Sequence, residues 1–234
     1  MRHPEGEPPR VTLSYLGLGA VAALVFTLTP LLKYMGWFLA SLVHEMGHCA
    51  AAWAVGCPAF PAIRLDGHAA AVHGDQSTIF ALGIWVGLGF FTWRRRDNRS
   101  VLVAGGAATL VYPLLAFTGV REWIFLLAGH LGELAIAGVF FWRAFVGGFT
   151  RSRAERVAYA ACAWYLLAAN IWLSGGLLFD EGVRQWYRGS GSFGLVNDYL
   201  RLAGSLHVGL SAVAFTMLLV SLAVLPLAWR LSRR

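Results

Sequence analysis

The sequence predicts an all-α polytopic membrane protein, a bundle of about six to seven transmembrane helices with a short β-hairpin after the second of them. Of its 234 residues, 58% are apolar and 13% are charged, whereas soluble domains carry about 25% charged residues. The mean hydropathy is +0.61, and the apolar residues fall in runs of about twenty, the length that a helix needs to cross a bilayer. The basic residues lie between these runs. We therefore interpret the net charge of +7 as a signal that orients the spans in the membrane, and we expect no nucleic-acid partner.

Seven apolar segments follow a short polar lead. Residues 1–10 are polar and rich in proline, and we expect them to be a disordered N-terminal lead. Residues 11–234 are expected to form a single transmembrane helical domain. The predicted spans are residues 11–32, 35–55, 77–93, 100–119, 123–147, 156–178 and 202–229.

The distribution of arginine predicts the orientation in the membrane. Residues 94–99, 151–156 and 230–234 are rich in arginine, and seven spans place all three stretches on the same side. Because basic loops stay in the cytoplasm, that side and the C-terminus should be cytoplasmic. Lys33 agrees with this orientation, whereas Arg2 and Arg10 would lie on the outer side.

The second apolar segment contains His44-Glu45-Met46-Gly47-His48. Residues four apart share one helix face, so both imidazoles can bind one ion while Glu45 lies beside them. Ionisable groups inside an apolar helix are costly, and they usually have a function and a partner. We therefore predict a Zn²⁺ site with His44 and His48 as ligands and Glu45 as the general base, and at least one further protein ligand is needed.

Polar residues of other helices lie at the depth of this motif. At 1.5 Å per residue, His48 lies roughly 12 Å below the outer helix end, and His130, Glu133, Asn170 and His207 lie at similar depths. We favour Glu133 as the third metal ligand, with His130 or Asp198 as the alternatives. His130, Asn170 and His207 are candidates for binding the substrate or for orienting the metal ligands.

Most of these polar residues also have a simpler explanation. His130 and Glu133 could tie two helices together through an intramembrane hydrogen bond. Asn197 or Asp198 could cap the N-terminus of the last helix, and His207 could be a packing residue. These alternatives remain open at the level of sequence.

A segment after the second span, residues 62–75, is rich in small residues and glycine and contains β-branched side chains. This composition favours a hairpin, and an edge strand beside the metal could hold an extended peptide through backbone hydrogen bonds. The alternative is an exposed loop in which His68 and His73 are solvated.

Residues 36–76 resemble the site-2 protease family of intramembrane zinc metalloproteases, which carry His-Glu-x-Gly-His in a membrane helix before a membrane-associated β segment. The resemblance implies that His44 and His48 bind zinc and that Glu45 is the catalytic base. In that family an Asp of a later helix, commonly near Asn-Pro and Asp-Gly, is the third ligand. Here Asp66-Gly67 comes too early, and Asn197-Asp198 is the nearest late candidate. The family generally opens its site to the cytosol, whereas the arginine pattern places this site nearer the outer face.

The sequence therefore predicts an intramembrane zinc metalloprotease that hydrolyses a peptide bond in or near the membrane. Its partners would be the lipid bilayer and a membrane-embedded or membrane-adjacent protein substrate. Two alternatives assign a different role to the polar residues at the depth of the His-Glu-x-x-His motif. One is a metal-dependent membrane oxidoreductase that holds iron, and the other is a transporter of protons or metal ions without enzymatic activity.

Overall fold

The computed structural model describes residues 9–63, 69–147, 150, 152–189 and 197–233. In this part of the chain the secondary structure is almost entirely helical, with one small sheet. Residues 1–8 of the predicted disordered lead and His68 of the predicted hairpin lie outside the described residues. The elements are α1 Pro9–Leu28, α2 Pro30–Ala54, β1 Ala59–Ile63, β2 Ala69–His73, α3 Thr78–Arg94, α4 Arg99–Phe117, α5 Val120–Val146, α6 Arg153–Phe179, α7 Glu181–Gly189, α8 Asp198–Leu206 and α9 Leu210–Ser232.

Four described helices, α4, α5, α6 and α9, are long and apolar enough to cross a bilayer. The pair α1 and α2 qualifies together but is bent by 106°, so the count rises to five if this pair is one span. That is fewer than the six to seven spans predicted, although each predicted span is mostly helical. The bend lies at Thr29, which is extended (φ −92°, ψ 116°) because Pro30 follows it and disfavours helical backbone before it. The shorter apolar helix α3 has 17 residues.

The last predicted span, residues 202–229, is divided into two helices. His207 ends α8 with a left-handed backbone (φ 57°), a conformation that residues other than glycine adopt rarely. Its Nδ1–H donates a hydrogen bond to the Gly204 carbonyl at 3.0 Å, and its side chain is exposed. Asp198 therefore belongs to a separate short helix, which packs against α5 and α9.

A hairpin is present as predicted, but it begins before the predicted residues 62–75. Its two strands are antiparallel, with Ala59 opposite His73 and Ile63 opposite Ala69. The chain turns out of α2 at Gly56, whose φ is +85°. A Cβ at this position would lie 2.8 Å from the Ala81 backbone nitrogen, so both the conformation and the close approach of α3 require glycine. Both strands then pack back against α2.

Helices α2 and α5 approach each other backbone to backbone. A Cβ on Gly132 would lie 2.9 Å from the Gly47 Cα, and a Cβ on Gly47 would collide with the Ala128 carbonyl oxygen. Small residues permit such close crossings of membrane helices. This crossing places the His-Glu-x-x-His face of α2 directly against α5. The buried core lies alongside, where α5, α6 and α9 meet around Phe141, Leu177 and Met217.

Candidate metal centre

Three potential ligand atoms from α2 and α8 form a nearly equilateral triangle. His44 Nε2 lies 3.1 Å from His48 Nε2, and Asp198 Oδ2 lies 3.2 Å from His44 Nε2 and 3.1 Å from His48 Nε2. In a tetrahedral zinc site with bonds of about 2.0–2.1 Å, neighbouring ligand atoms are about 3.3 Å apart. The three atoms therefore have the spacing of one face of a coordination tetrahedron, and they leave the fourth corner open.

The other ring nitrogens of the two histidines fix their orientation. His48 Nδ1–H donates a hydrogen bond to the Phe125 carbonyl at 2.6 Å, which leaves the Nε2 lone pair free for a metal. His44 Nδ1 faces Glu133 Oε2 at 3.6 Å. Metal-binding histidines commonly have a carbonyl or a carboxylate on their second nitrogen. The Phe125 carbonyl holds His48 in the tautomer that a metal requires, and the Glu133 carboxylate lies beside the second nitrogen of His44.

Glu133 belongs to a buried polar cluster beneath His44. Its Oε2 accepts hydrogen bonds from Asn170 Nδ2 at 2.9 Å and from His130 Nδ1 at 3.2 Å. His130 Nδ1 also lies 3.1 Å from Asn170 Oδ1, and Asn170 is anchored to the Leu166 carbonyl at 3.0 Å. All three residues of the cluster are at most 8% exposed. Satisfied buried networks of this kind are rigid, so the carboxylate is held in place against His44.

The cluster creates a second group of potential metal ligands. Donor atoms of His44, His130 and Glu133 lie within 4.8 Å of one another, as do those of His44, His48 and Asp198. His44 is common to both groups. In the group that contains Asp198, the Nε2 of His44 faces the carboxylate. In the group that contains Glu133, the Nδ1 of His44 does.

The residues predicted at the site fall into two sets. His44, His48, His130, Glu133 and Asn170 are brought together on α2, α5 and α6, and Asp198 joins them from α8. Asn197 occupies the N-cap position of α8, and its Nδ2 donates to the Tyr187 carbonyl. His207 is exposed at the end of α8 and is not among the described residues that line the cavity at the site.

Glu45 lies on the cavity side of the histidine pair and is 7% exposed. Its carboxylate is close enough to His44 and His48 for electrostatic interaction, and it accepts a hydrogen bond from the Ala71 backbone amide. Burial by itself would raise the pKa of the Asp198 carboxyl, but the close approach of His44 and His48 outweighs that effect and holds this pKa below its usual value. Asp198 is therefore ionised at neutral pH, the state in which it can bind a cation.

Gly129 of α5 forms the floor of the ligand triangle. A Cβ at this position would lie 2.5 Å from both His44 Cε1 and His48 Nε2, and closer still to His44 Nε2. The missing side chain thus leaves the space in which the two histidines present their nitrogens. Neither Gly129 nor the Phe125 carbonyl is predicted from the sequence, because a glycine in a membrane helix is common and a backbone carbonyl leaves no pattern.

The ligand triangle opens into a cavity of about 710 Å³. One wall is β2, whose Ala69, Ala70 and Ala71 reach the cavity beside Glu45. At the rim, Arg121 Nη1 donates to Gln76 Oε1 at 2.6 Å, and the Gln76 amide donates to the Val55 and Ala116 carbonyls. These bonds tie the rim to the ends of α2 and α4. The other polar lining residues include Ser41, His73, Asp75, Glu122, Asn197, Arg201 and Ser205.

Comparison with models of known protein families, with curated proteins and with solved structures finds no match for this chain. The argument for function therefore rests on the residues and geometry of the site.

Proposed function

We propose that this protein is an intramembrane zinc metalloprotease in which His44, His48 and Asp198 hold Zn²⁺ and Glu45 is the general base. The observation that carries the proposal is the triangle of ligand atoms 3.1–3.2 Å apart beside a buried carboxylate. Two histidines, one carboxylate and an open fourth position are typical of hydrolytic zinc sites.

Asp198 takes precedence over Glu133 as the third ligand in this proposal. Its Oδ2 lies within 3.2 Å of both Nε2 atoms, whereas Glu133 faces the Nδ1 of His44. Glu133 is then the carboxylate that orients a ligand histidine and increases its basicity. His130 and Asn170 hold that carboxylate.

Bound zinc would polarise a scissile carbonyl and lower the pKa of a water molecule at the open position. Glu45 would take the proton of that water and deliver it to the leaving amine. Its position among His44, His48 and the Ala71 amide keeps the carboxylate in one place during both transfers. The Phe125 carbonyl would keep the His48 ring in one tautomer throughout, and the Glu133 carboxylate would lie beside His44 Nδ1.

The hairpin supports a peptide as substrate. In the described part of the chain β2 pairs only with β1, and Ala69–Ala71 line the cavity. An extended peptide could be added beside β2 through the backbone groups that Glu45, at the Ala71 amide, leaves unused. A peptide that pairs with β2 in this way would be held extended by backbone hydrogen bonds. Its scissile bond would then lie beside Glu45.

One observation favours the metal-dependent oxidoreductase as a second candidate. The groups around Asp198 and Glu133 share His44, and a helical bundle with several histidines and carboxylates can hold two redox-active ions. Metal analysis separates the candidates, because the protease requires one zinc per chain whereas the oxidoreductase requires iron.

The test is metal content and peptide hydrolysis of the purified chain in detergent. We expect one zinc per chain, loss of zinc in Asp198→Asn, and retention of zinc with loss of hydrolysis in Glu45→Gln. Asp97→Asn, in the exposed loop before α4, is the matched control and should change neither property. Stoichiometric iron without zinc would contradict the proposal, as would full hydrolysis by the Glu45→Gln variant.

A further inference from the structure

A second, smaller hollow of about 280 Å³ adjoins the ligand triangle between α2 and α6. Apart from Ser41 and the inner end, its walls are apolar or aromatic: Trp37 and Ala40 on α2, Tyr165, Ala169, Trp172 and Leu173 on α6, and Trp186 on α7. We call this hollow the apolar groove.

The apolar groove is continuous with the main cavity at the site. Both are lined by His44 and Glu45, so the groove begins where the reacting groups lie. The β2 residues Ala69–Ala71 line only the main cavity. A substrate peptide paired with β2 would therefore reach the groove at a wall of the main cavity that β2 does not form.

The extended form of such a chain determines what reaches the groove. Successive side chains of an extended peptide point to opposite faces. The two residues at the scissile bond thus direct their side chains to opposite faces of the sheet that the peptide would extend. The groove starts at His44 and Glu45, beside which that bond would lie. The groove can therefore take one side chain from the residue beside the scissile bond.

The size and lining of the groove select the chemistry of that side chain. A cavity of about 150 Å³ lined by apolar side chains holds benzene, so a hollow of about 280 Å³ accommodates a phenyl, an indole or a long aliphatic group. The rings of Trp172 and Trp186 meet edge to face with centroids 6.0 Å apart, a geometry into which a further aromatic ring fits. Ala40 and Ala169 provide the depth, because any larger side chain there would fill the space.

We propose that the apolar groove is a specificity pocket that binds a large apolar side chain of the substrate residue beside the scissile bond. This inference rests on the proposed function, since the peptide must be held at the ligand triangle. The groove opens at His44 and Glu45, where the peptide would be held, so a substrate side chain is the occupant that the geometry favours over a lipid acyl chain.

The test uses the zinc-loaded protein in detergent and three peptide hydroxamates that differ in one side chain, benzyl, methyl or aminobutyl. Their affinities are measured by calorimetry. We expect the benzyl compound to bind about 10- to 150-fold more tightly than the methyl compound, the range that burial of a phenyl side chain supports. The aminobutyl compound should bind no better than the methyl compound.

Ala169→Leu fills the groove and should abolish the benzyl preference while leaving the methyl affinity unchanged. Ala168→Leu adds the same atoms one residue earlier on α6, outside the groove lining, and should keep the preference. Ala40→Leu fills the groove from α2 and gives the same test if Ala169→Leu does not fold.

The zinc content and the affinity for the methyl compound report on the metal site, and the benzyl-to-methyl ratio reports on the groove. Equal affinities for benzyl and methyl in a zinc-containing wild-type protein would overturn the pocket and leave the metal site intact. A preference for aminobutyl, or a benzyl preference that survives both groove-filling variants, would overturn it as well. Absence of zinc would overturn the proposed function itself, and the pocket with it.

Discussion

Replacement of Gly129 by alanine is the sharpest test of the ligand triangle. The added carbon would lie 2.5 Å from His48 Nε2 and His44 Cε1, whereas non-bonded heavy atoms prefer separations of about 3.5–4.0 Å. Both rings would have to move by about 1 Å to relieve this contact. A metal ion at about 2.0–2.1 Å from both Nε2 atoms would lose the positions of two of its three ligands together.

We expect Gly129→Ala to weaken zinc affinity by at least about 100-fold. This is the upper end of the loss that follows from mutating the residues that support metal ligands. Affinity is measured by competition with a chelator, and folding by thermal unfolding followed through circular dichroism. The three atoms nearest to the added carbon all belong to imidazole side chains, which can shift at the expense of their own hydrogen bonds, so the helices should stay folded.

Two glycines of the same helix serve as controls. A Cβ on Gly138 would meet the Val224 Cγ1 at 3.7 Å, an ordinary contact, so Gly138→Ala should change neither zinc affinity nor stability. A Cβ on Gly132 would meet the Gly47 Cα at 2.9 Å, so Gly132→Ala should lower stability by forcing α2 and α5 apart. Zinc binding of wild-type strength in a folded Gly129→Ala protein would refute the Nε2-centred site.

Three further predictions address the surroundings of the site. Glu133→Gln should weaken zinc affinity by about 10- to 100-fold without abolishing it, as measured by chelator competition, and complete loss of zinc would instead identify Glu133 as a ligand. Gly56→Ala should lower the midpoint of thermal unfolding, because left-handed backbone costs a residue with a Cβ about 1–2 kcal/mol. The added Cβ would also lie 2.8 Å from the Ala81 backbone nitrogen. An unchanged midpoint would contradict this prediction. A tag after the C-terminus should be cleaved by protease only when the cytoplasmic face of sealed vesicles is accessible, and cleavage from the opposite face would reverse the predicted orientation.

The local features of the site follow from sequence because they depend on short-range geometry. His44 and His48 share a face since a helix turns every 3.6 residues, and α2 contains both of them as predicted. The hairpin was likewise indicated by composition over a few residues. Hydropathy placed the helices because burial in lipid depends on the sum over about twenty residues.

The features that escaped prediction depend on single residues or on distant contacts. Hydropathy averaged over a window does not register the left-handed backbone of His207, which divides the last predicted span. It also does not register the 106° bend between α1 and α2, which follows from the restriction that Pro30 places on Thr29. The depth argument grouped His207 with the site because it assumed one unbroken helix there.

The sequence by itself determined that this is a helical membrane protein with a potential metal-binding pair and a carboxylate on one face of its second helix. Only the tertiary structure decided which later residues approach that pair. Asp198 is 154 residues from His44 in the chain, and its approach depends on where α8 begins and how α8 packs against α5. Gly129 is close to both imidazoles because α2 and α5 cross at glycines. Helical periodicity acts over a few residues, whereas a crossing between helices depends on how whole surfaces fit together.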